Sequence, residues 1–322
     1  MTEVVDRDSG GTPRIAVILP CYNEAAAVGA TVAGYRAALP TARIYVYDNN
    51  SRDGTAEVAR AAGAIVRVER MQGKGHVVRR MFADIDADIY VLADGDATYD
   101  ASAAPAMVTR LWDEQLDMVV GARQSEVEAA YRPGHVLGNR MLTGLLARMF
   151  GNSFSDILSG YRVFSRRFVK SFPVLSAGFE IETEISVHSL ELAMPVAEVV
   201  TRYGARPDGS LSKLSTWRDG WRILKMMIGL YRSERPTVFY GIFAALLAMM
   251  ALILAVPLVT TYLDTGLVPR FPTAILIMGL LTIAVICTFV GLILDTVTKG
   301  RREMKRLAYL SYPPPGDVGG AS

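Results

Sequence analysis

Cysteine is almost absent from the 322 residues: only Cys21 and Cys287 occur, the second inside a long apolar run. Neither a disulfide framework nor a cysteine zinc site can be built from that pair. The three histidines, His76, His135 and His188, are scattered, and no metal is assigned to them. Net charge is also small, +2, which argues against nucleic acid as a partner and turns attention to where the basic residues lie. No Gly-x-Gly-x-x-Gly follows the first apolar strand, and Gly73-Lys74-Gly75 lacks the spacing of a P-loop. The first dozen residues are polar with no apolar h-region, so no cleavable signal peptide is expected. The tail from Ser311 through Tyr312-Pro313-Pro314-Pro315-Gly316 and beyond is expected to be disordered.

Charge is missing altogether from two stretches, Val238 to Leu263 and Thr273 to Leu294. As helices these run roughly 39 and 33 Å, enough to cross a hydrocarbon core of about 30 Å. Buried helices of a soluble protein would need a large core around them, and little chain remains to build one. Pro257 should bend the first span, which a packed neighbour tolerates. Arg218, Arg222, Lys225, Arg232 and Arg235 precede the first span, and Lys299, Arg301, Arg302, Lys305 and Arg306 follow the second, while the intervening loop holds only Arg270. Basic flanks stay inside, so the N-terminal part and the tail are both expected in the cytosol, on a multi-pass protein of the plasma (inner) membrane. Trp217, Trp221, Leu224, Ile228 and Tyr231 recur at spacings of four and three beside Arg218, Arg222 and Lys225, the pattern of a helix lying in the bilayer surface.

The N-terminal two thirds alternate strand and helix. Strands are expected at 14–20, 44–47, 64–68, 89–92 and 118–121, with helices opening after Glu24, at Thr55 and at Gly73-Lys74-Gly75, which argues a mostly parallel, doubly wound α/β sheet. The apolar run Ile89-Tyr90-Val91-Leu92-Ala93 ends on Asp94-Gly95-Asp96, placing two carboxylates where open α/β sheets bind ligands. Gly95 keeps that turn free of bulk. Two hard oxygen ligands so spaced can hold Mg²⁺ or Mn²⁺ and leave coordination sites for a diphosphate. Asp48 is placed to accept hydrogen bonds from a base edge, and the Gly73-Lys74-Gly75 turn lets backbone donors and an ammonium approach phosphate. Helix capping is the competing role for Asp48 and Asp53. Asp84, Asp86 and Asp88 read as solvated or structural, and Glu180 and Glu184 as dipole partners of the helix they open.

Val17 to Glu24, Asp48 to Thr55, Gly73-Lys74-Gly75 and Asp94-Gly95-Asp96 together resemble the family 2 glycosyltransferases with a GT-A fold. Asp156-Ile157-Leu158-Ser159-Gly160-Tyr161-Arg162 and the Ser-Lys-Leu element at Ser212-Lys213-Leu214 narrow the resemblance to dolichyl-phosphate mannose synthases and bacterial polyprenyl-phosphate glycosyltransferases. The resemblance implies that Pro20, Tyr22, Glu24 and Asp48 line a nucleotide pocket and that Asp94 and Asp96 hold the metal. It makes Arg123, Arg140, Arg162 and Lys213 candidates for the phosphates and Asp156 for the reacting centre; a structural pairing with Arg162 is the other role open to Asp156. Thr98 stands where several relatives carry Gln. Relatives of this group form homotetramers, so a homo-oligomer is implied.

The expected layout is a polar N-terminus (1–13), a GT-A domain (14–210), an interfacial segment (211–236), two transmembrane helices (237–298) and a basic cytosolic tail (299–322). The expected reaction moves one sugar from a UDP- or GDP-linked donor to a polyprenyl phosphate on the cytosolic leaflet, with inversion. Such an acceptor is already anionic, so positioning matters more than a general base. Transfer to a lipid hydroxyl is an alternative. A polysaccharide synthase is another, although none of Gln72, Gln115 and Gln124 begins the Gln-x-x-Arg-Trp element that reading expects. A catalytically inactive membrane scaffold is the alternative from another class.

Overall fold

The structure, a computed structural model, describes residues 12–124, 143–144, 147–148, 154–178, 180–204, 225–226 and 228–316. Two units are distinguished, residues 1–221 with 305–322, and residues 222–304. Arg140, Lys213 and His135, with Trp217, Trp221 and Leu224 of the predicted interfacial stripe, lie outside the described residues.

In the first unit β1 (Ile15–Cys21), α1 (Ala25–Ala38), β2 (Arg43–Asp48), α2 (Thr55–Ala61), β3 (Ile65–Val68), α3 (Lys74–Asp84) and β4 (Ile89–Leu92) alternate without exception. They are followed by α4 (Ala104–Asp113), β5 (Met118–Gln124), β6 (Arg162–Ser165), α5 (Arg166–Ser171), α6 (Ile181–Glu191) and β7 (Val196–Arg202). The seven described strands join one sheet in the order β3-β2-β1-β4-β6-β5-β7. The sheet is mostly parallel, as expected, but β6 runs antiparallel to both β4 and β5. No strand was expected at 162–165, where four residues buried on both faces carry no alternation.

Period-two alternation sorts the strand residues into two cores. Ala16, Ile18, Tyr90, Leu92, Met118 and Val120 face one way with Val78, Met81 and Phe82 of α3 and Ile185 of α6. Val17, Leu19, Ile89, Val91 and Val119 face the other with Val28, Val32 and Tyr35 of α1 and Met107 and Leu111 of α4. Helices on both faces leave the sheet's two ends as the exits for the chain. β1, β2 and β4 are mutually parallel, so the loops after Cys21, Asp48 and Leu92 emerge at one end.

The opposite end is closed by an ion cluster. Asp117, which precedes β5, is completely buried. Its Oδ1 accepts from Arg167 Nε (2.5 Å) and Ser165 Oγ (2.7 Å), and its Oδ2 from Arg167 Nη2 and Tyr309 Oη (both 2.8 Å). Tyr309 also lies under the Arg167 guanidinium, 4.6 Å from it. Lys305 reaches the buried Glu191 at 2.7 Å, and Arg306 donates to the Leu192 carbonyl. The expected disorder of the tail is corrected here: residues 311–316 continue onto this unit, with Gly316 against the Trp112 carbonyl.

The second unit is built on α7 (Pro236–Thr265) and α8 (Phe271–Leu310), whose last residues belong to the first unit. The second predicted span thus extends well beyond Leu294 as one helix, and α7 continues through Pro257. Both are long and apolar enough to cross a membrane, and only 11% and 17% of their most apolar windows is buried. Gly291 lets the two approach: a Cβ there would meet the Thr237 backbone at 3.3 Å. Where the apolar run ends, buried Glu234 is gripped by Arg301 (2.7 Å) and Arg302 (2.9 Å).

Candidate active site

The loop after β4 carries Asp94 and Asp96 to the end of the sheet. Gly95 is required by packing: a Cβ would collide with the buried Cys21 Sγ. Asp96 is 3% exposed, and its Oδ1 accepts from the Thr98 amide (3.2 Å) and hydroxyl (2.6 Å). Ala97 between them adopts φ 58°, a conformation non-glycine residues avoid. Thr98, the departure from the family pattern, is therefore spent on orienting Asp96.

Asp94 Oδ1 meets the ammonium of Lys74 at 2.5 Å, and the same ammonium meets Glu182 Oε1 at 2.6 Å. Burial pulls the lysine's pKa down, but the carboxylates of Asp94 and Glu182 outweigh it and raise it above the ordinary value. Lys74 is fixed by its neighbours. A Cβ on Gly73 (φ 135°) or Gly75 would run into the carbonyl oxygen of Ala177 or Ser176 respectively. Asn49 secures the approach, donating to the Glu69 and Met71 carbonyls and accepting from the Gly73 amide at 2.7 Å. One expectation changes here. The Gly73 and Gly75 amides donate to Asn49 and to the Ala177 carbonyl, so these two backbone donors are already spent within the fold.

Asp48 is buried at the end of β2. Its Oδ2 accepts from the Ser51 amide at 3.2 Å, while Oδ1 is buried with no hydrogen-bond partner among the described residues. A buried orphan carboxylate oxygen is costly in a finished fold and suits a ligand donor. Asp53 is a capping residue, accepting from Thr55 and from the Ala25 amide at the start of α1. Pro20 and Glu24 are at least half-buried on the same end of the sheet, and Tyr22 is exposed.

Asp156, Ser159, Gly160 and Arg162 of the motif each have a physical task. Asp156 binds Arg123 through both oxygens, to Nε at 2.7 Å and Nη2 at 2.8 Å. Burial pushes the Asp156 pKa up, and Arg123 more than reverses this, holding it below the usual carboxylate value. Arg123 also lies 5.5 Å from the Tyr203 ring. Asp156 therefore pairs with Arg123 and not, as the structural alternative had it, with Arg162. Ser159 donates to the Gly121 carbonyl, and the Gly160 amide to Tyr99 Oη at 2.8 Å. A side chain on Gly160 would sit 3.0 Å from Asp94 Oδ2 and 3.1 Å from Lys74 Nζ, so its absence keeps a space that both groups face.

Arg162 is corrected. It is wholly buried, donating to the carbonyls of Ser159 (2.9 Å) and Ile157 (2.5 Å), and burial lowers its pKa to about 10, so it remains cationic at neutral pH. It holds the motif's backbone and cannot reach a phosphate.

Glu182 was missed by sequence reasoning, which paired Glu180 with Glu184. Glu184 instead accepts from the amides of Leu175 and Ser176 and from the Ser176 hydroxyl. The available signal was the spacing: at 3.6 residues per turn Glu182 falls on the helix face opposite Glu180 and Glu184, and that face is the buried one. Asp84, Asp86 and Asp88 are in ion pairs with Arg67 and Arg80, with Arg14 and Arg166, and with Arg14.

Asp94 turns Oδ2 to the space left clear by Gly160, and Asp96 follows with one residue between them; two hard oxygen donors so spaced suit a small divalent cation such as Mg²⁺ or Mn²⁺.

Residues 16–172 match the family described as Glycosyl transferase family 2. Glycosyltransferase AglJ of Haloferax volcanii is 36% identical over 233 residues, covering 70% of this chain and 75% of that protein. The polyprenol monophosphomannose synthase of Mycolicibacterium smegmatis is 28% identical over 224 residues, 63% of this chain and 82% of that one. Among solved structures, the glucosyl-3-phosphoglycerate synthase of Mycobacterium tuberculosis in complex with Mn²⁺, UDP and glucosyl-3-phosphoglycerate superposes with a TM-score of 0.56 at 22% identity, covering 68% of this chain and 79% of that one. That likeness concerns the fold.

Proposed function

The chain belongs to glycosyl transferase family 2, and we propose that it moves one sugar from a nucleotide-diphosphate sugar to a polyprenyl phosphate at the cytosolic face of a membrane. One observation carries the reading: the same chain holds a GT-A sheet that ends in Asp94 and Asp96 and two long helices whose apolar surface is largely uncovered. A water-soluble acceptor gives no reason for such helices, whereas a lipid acceptor does. The M. tuberculosis synthase is in complex with glucosyl-3-phosphoglycerate, whereas the M. smegmatis relative is named for a polyprenol phosphate.

Asp94 and Asp96 would hold Mg²⁺ or Mn²⁺, which when bound supplies Lewis-acid stabilisation of the departing diphosphate. Asp48 offers its unsatisfied oxygen to a base N–H, with Pro20, Tyr22 and Glu24 around the nucleoside. A lipid phosphate oxygen forms the new bond to the anomeric carbon as the bond to the diphosphate breaks, and the electron pair leaves with the nucleoside diphosphate. The acceptor is already an anion, so no general base is needed. We assign Arg140 and Lys213 to that anion, with Arg123 oriented by Asp156.

The test offers the purified protein, in detergent, a panel of UDP- and GDP-sugars with Mn²⁺ or Mg²⁺ and one acceptor at a time: undecaprenyl phosphate, diacylglycerol or phosphoglycerate. Release of nucleoside diphosphate with the lipid phosphate alone, giving an acid-labile product, is expected. Release with diacylglycerol or phosphoglycerate instead would overturn the acceptor.

A further inference from the structure

The Lys74 ammonium is shared between two carboxylates from different elements, Asp94 at the end of β4 and Glu182 in the first turn of α6. The lysine and Glu182 side chains are buried, and Asp94 is 31% exposed. The backbone under Lys74 is clamped at Gly73 and Gly75, so the ammonium moves only by rotation of its own side chain. It holds an oxygen of the residue that, on the reading above, ligates the divalent cation. Gly160 leaves both groups facing one space.

We infer that Lys74 competes with the divalent cation for Asp94 and that Glu182 sets the outcome, so that cation and nucleoside diphosphate bind as a coupled pair. A cation arriving alone meets a like charge on its own ligand, in a partly buried setting where such repulsion is weakly screened. A diphosphate gives Lys74 a second anion, and Glu182 retains the ammonium near the site while Asp94 turns to the metal. Glu182 is then a positioning residue acting through Lys74. This inference rests on the proposed metal-dependent reading of the site.

The experiment is a Mn²⁺ titration of the full chain in detergent, read by electron paramagnetic resonance, with and without UDP. For the wild type, UDP should tighten Mn²⁺ by about tenfold or more. Lys74→Met should tighten Mn²⁺ alone by about tenfold and reduce the UDP enhancement to the part that diphosphate oxygens supply directly, while Glu182→Gln should weaken Mn²⁺ alone. A merely structural role would weaken binding in both variants. Unchanged or weaker Mn²⁺ affinity in Lys74→Met, with its thermal midpoint preserved, overturns the inference. If Lys74→Met does not fold, Glu182→Gln decides: Mn²⁺ alone should weaken while the UDP enhancement grows, and unchanged or tighter binding, or an equal loss with and without UDP, overturns the inference. If the wild type takes up no Mn²⁺ even with UDP, the metal-dependent reading itself fails and the competition fails with it.

Discussion

Two buried ion clusters sit at opposite ends of one sheet, and they are built on different terms. At the closed end, Asp117 has both oxygens taken by Arg167, Ser165 and Tyr309. At the open end, Asp94 spends one oxygen on Lys74 and keeps the other beside the gap at Gly160. A saturated carboxylate serves the fold, because losing any partner strands a charge in a low-dielectric interior. A carboxylate left with capacity serves a ligand. Composition treats the two aspartates as equivalent; their partners set them apart.

Exchanging one substitution between the two ends should give the largest contrast. Asp94→Asn should lower turnover by about 10³-fold with little change in melting temperature, since it removes charge from the reacting centre. Asp117→Asn should do the reverse, costing about 3–5 kcal/mol of stability and leaving KM for donor and acceptor within about twofold in the folded fraction. Kinetics paired with thermal melts check both. Comparable losses of activity from the two variants would erase the distinction between the ends.

Much of the open end was legible in the sequence. Asp94 and Asp96 announce themselves because a buried strand must end somewhere, and two carboxylates directly after it have few structural uses. The need for glycine at position 95 was also readable, although Cys21 as the reason for it was not. The closed end was illegible. Asp117 meets Tyr309 across 192 positions and Arg167 across 50, and no local period encodes such a pair. The same distance hid Glu182 from Lys74 and Arg123 from Asp156. Arg162 was misread for a different reason. An arginine in a motif shared with phosphate-handling enzymes invites the phosphate, yet five N–H donors serve equally well to satisfy buried carbonyls. Strand β6 was not expected at all: its four residues begin inside the Asp156–Arg162 motif and, buried on both faces, show no alternation to mark a strand.

An intermediate effect is expected at Gly95, where the open end depends on packing. Gly95→Ala drives a methyl group into Cys21 Sγ and should cost about 1–3 kcal/mol, with a parallel loss of activity as Asp94 and Asp96 shift. Adding Cys21→Ala removes the sulfur. The next nearest atoms, Cys21 Cβ at 3.6 Å and the Pro20 carbonyl oxygen at 3.7 Å, are at ordinary contact distance. The double variant should therefore recover most of the lost stability, a coupling that a double-mutant cycle measures directly. Simple additivity of the two single costs would mean that the tight turn has another cause.

The smallest expected effect concerns the Arg123–Asp156 pair, which lies between the two extremes: bidentate and largely buried, yet next to the site. Burial would raise the Asp156 pKa, and the guanidinium more than reverses it, so the folded value lies below the unfolded one. The sign follows. The unfolded chain takes up the proton first as pH falls, so the pair's contribution is present in full above the ordinary carboxylate pKa of about 3.9 and disappears as pH drops through the folded value. The stability gap between wild type and Asp156→Asn should be constant from about pH 7 to 5 and close below about pH 4. Chemical denaturation in detergent across that range measures it. A gap that stays open in acid would mean that Asp156 acts through its shape and hydrogen bonds, with its charge making no difference; Arg123 would then be held in place by the fold around it, and the pair would belong with the saturated cluster at the closed end.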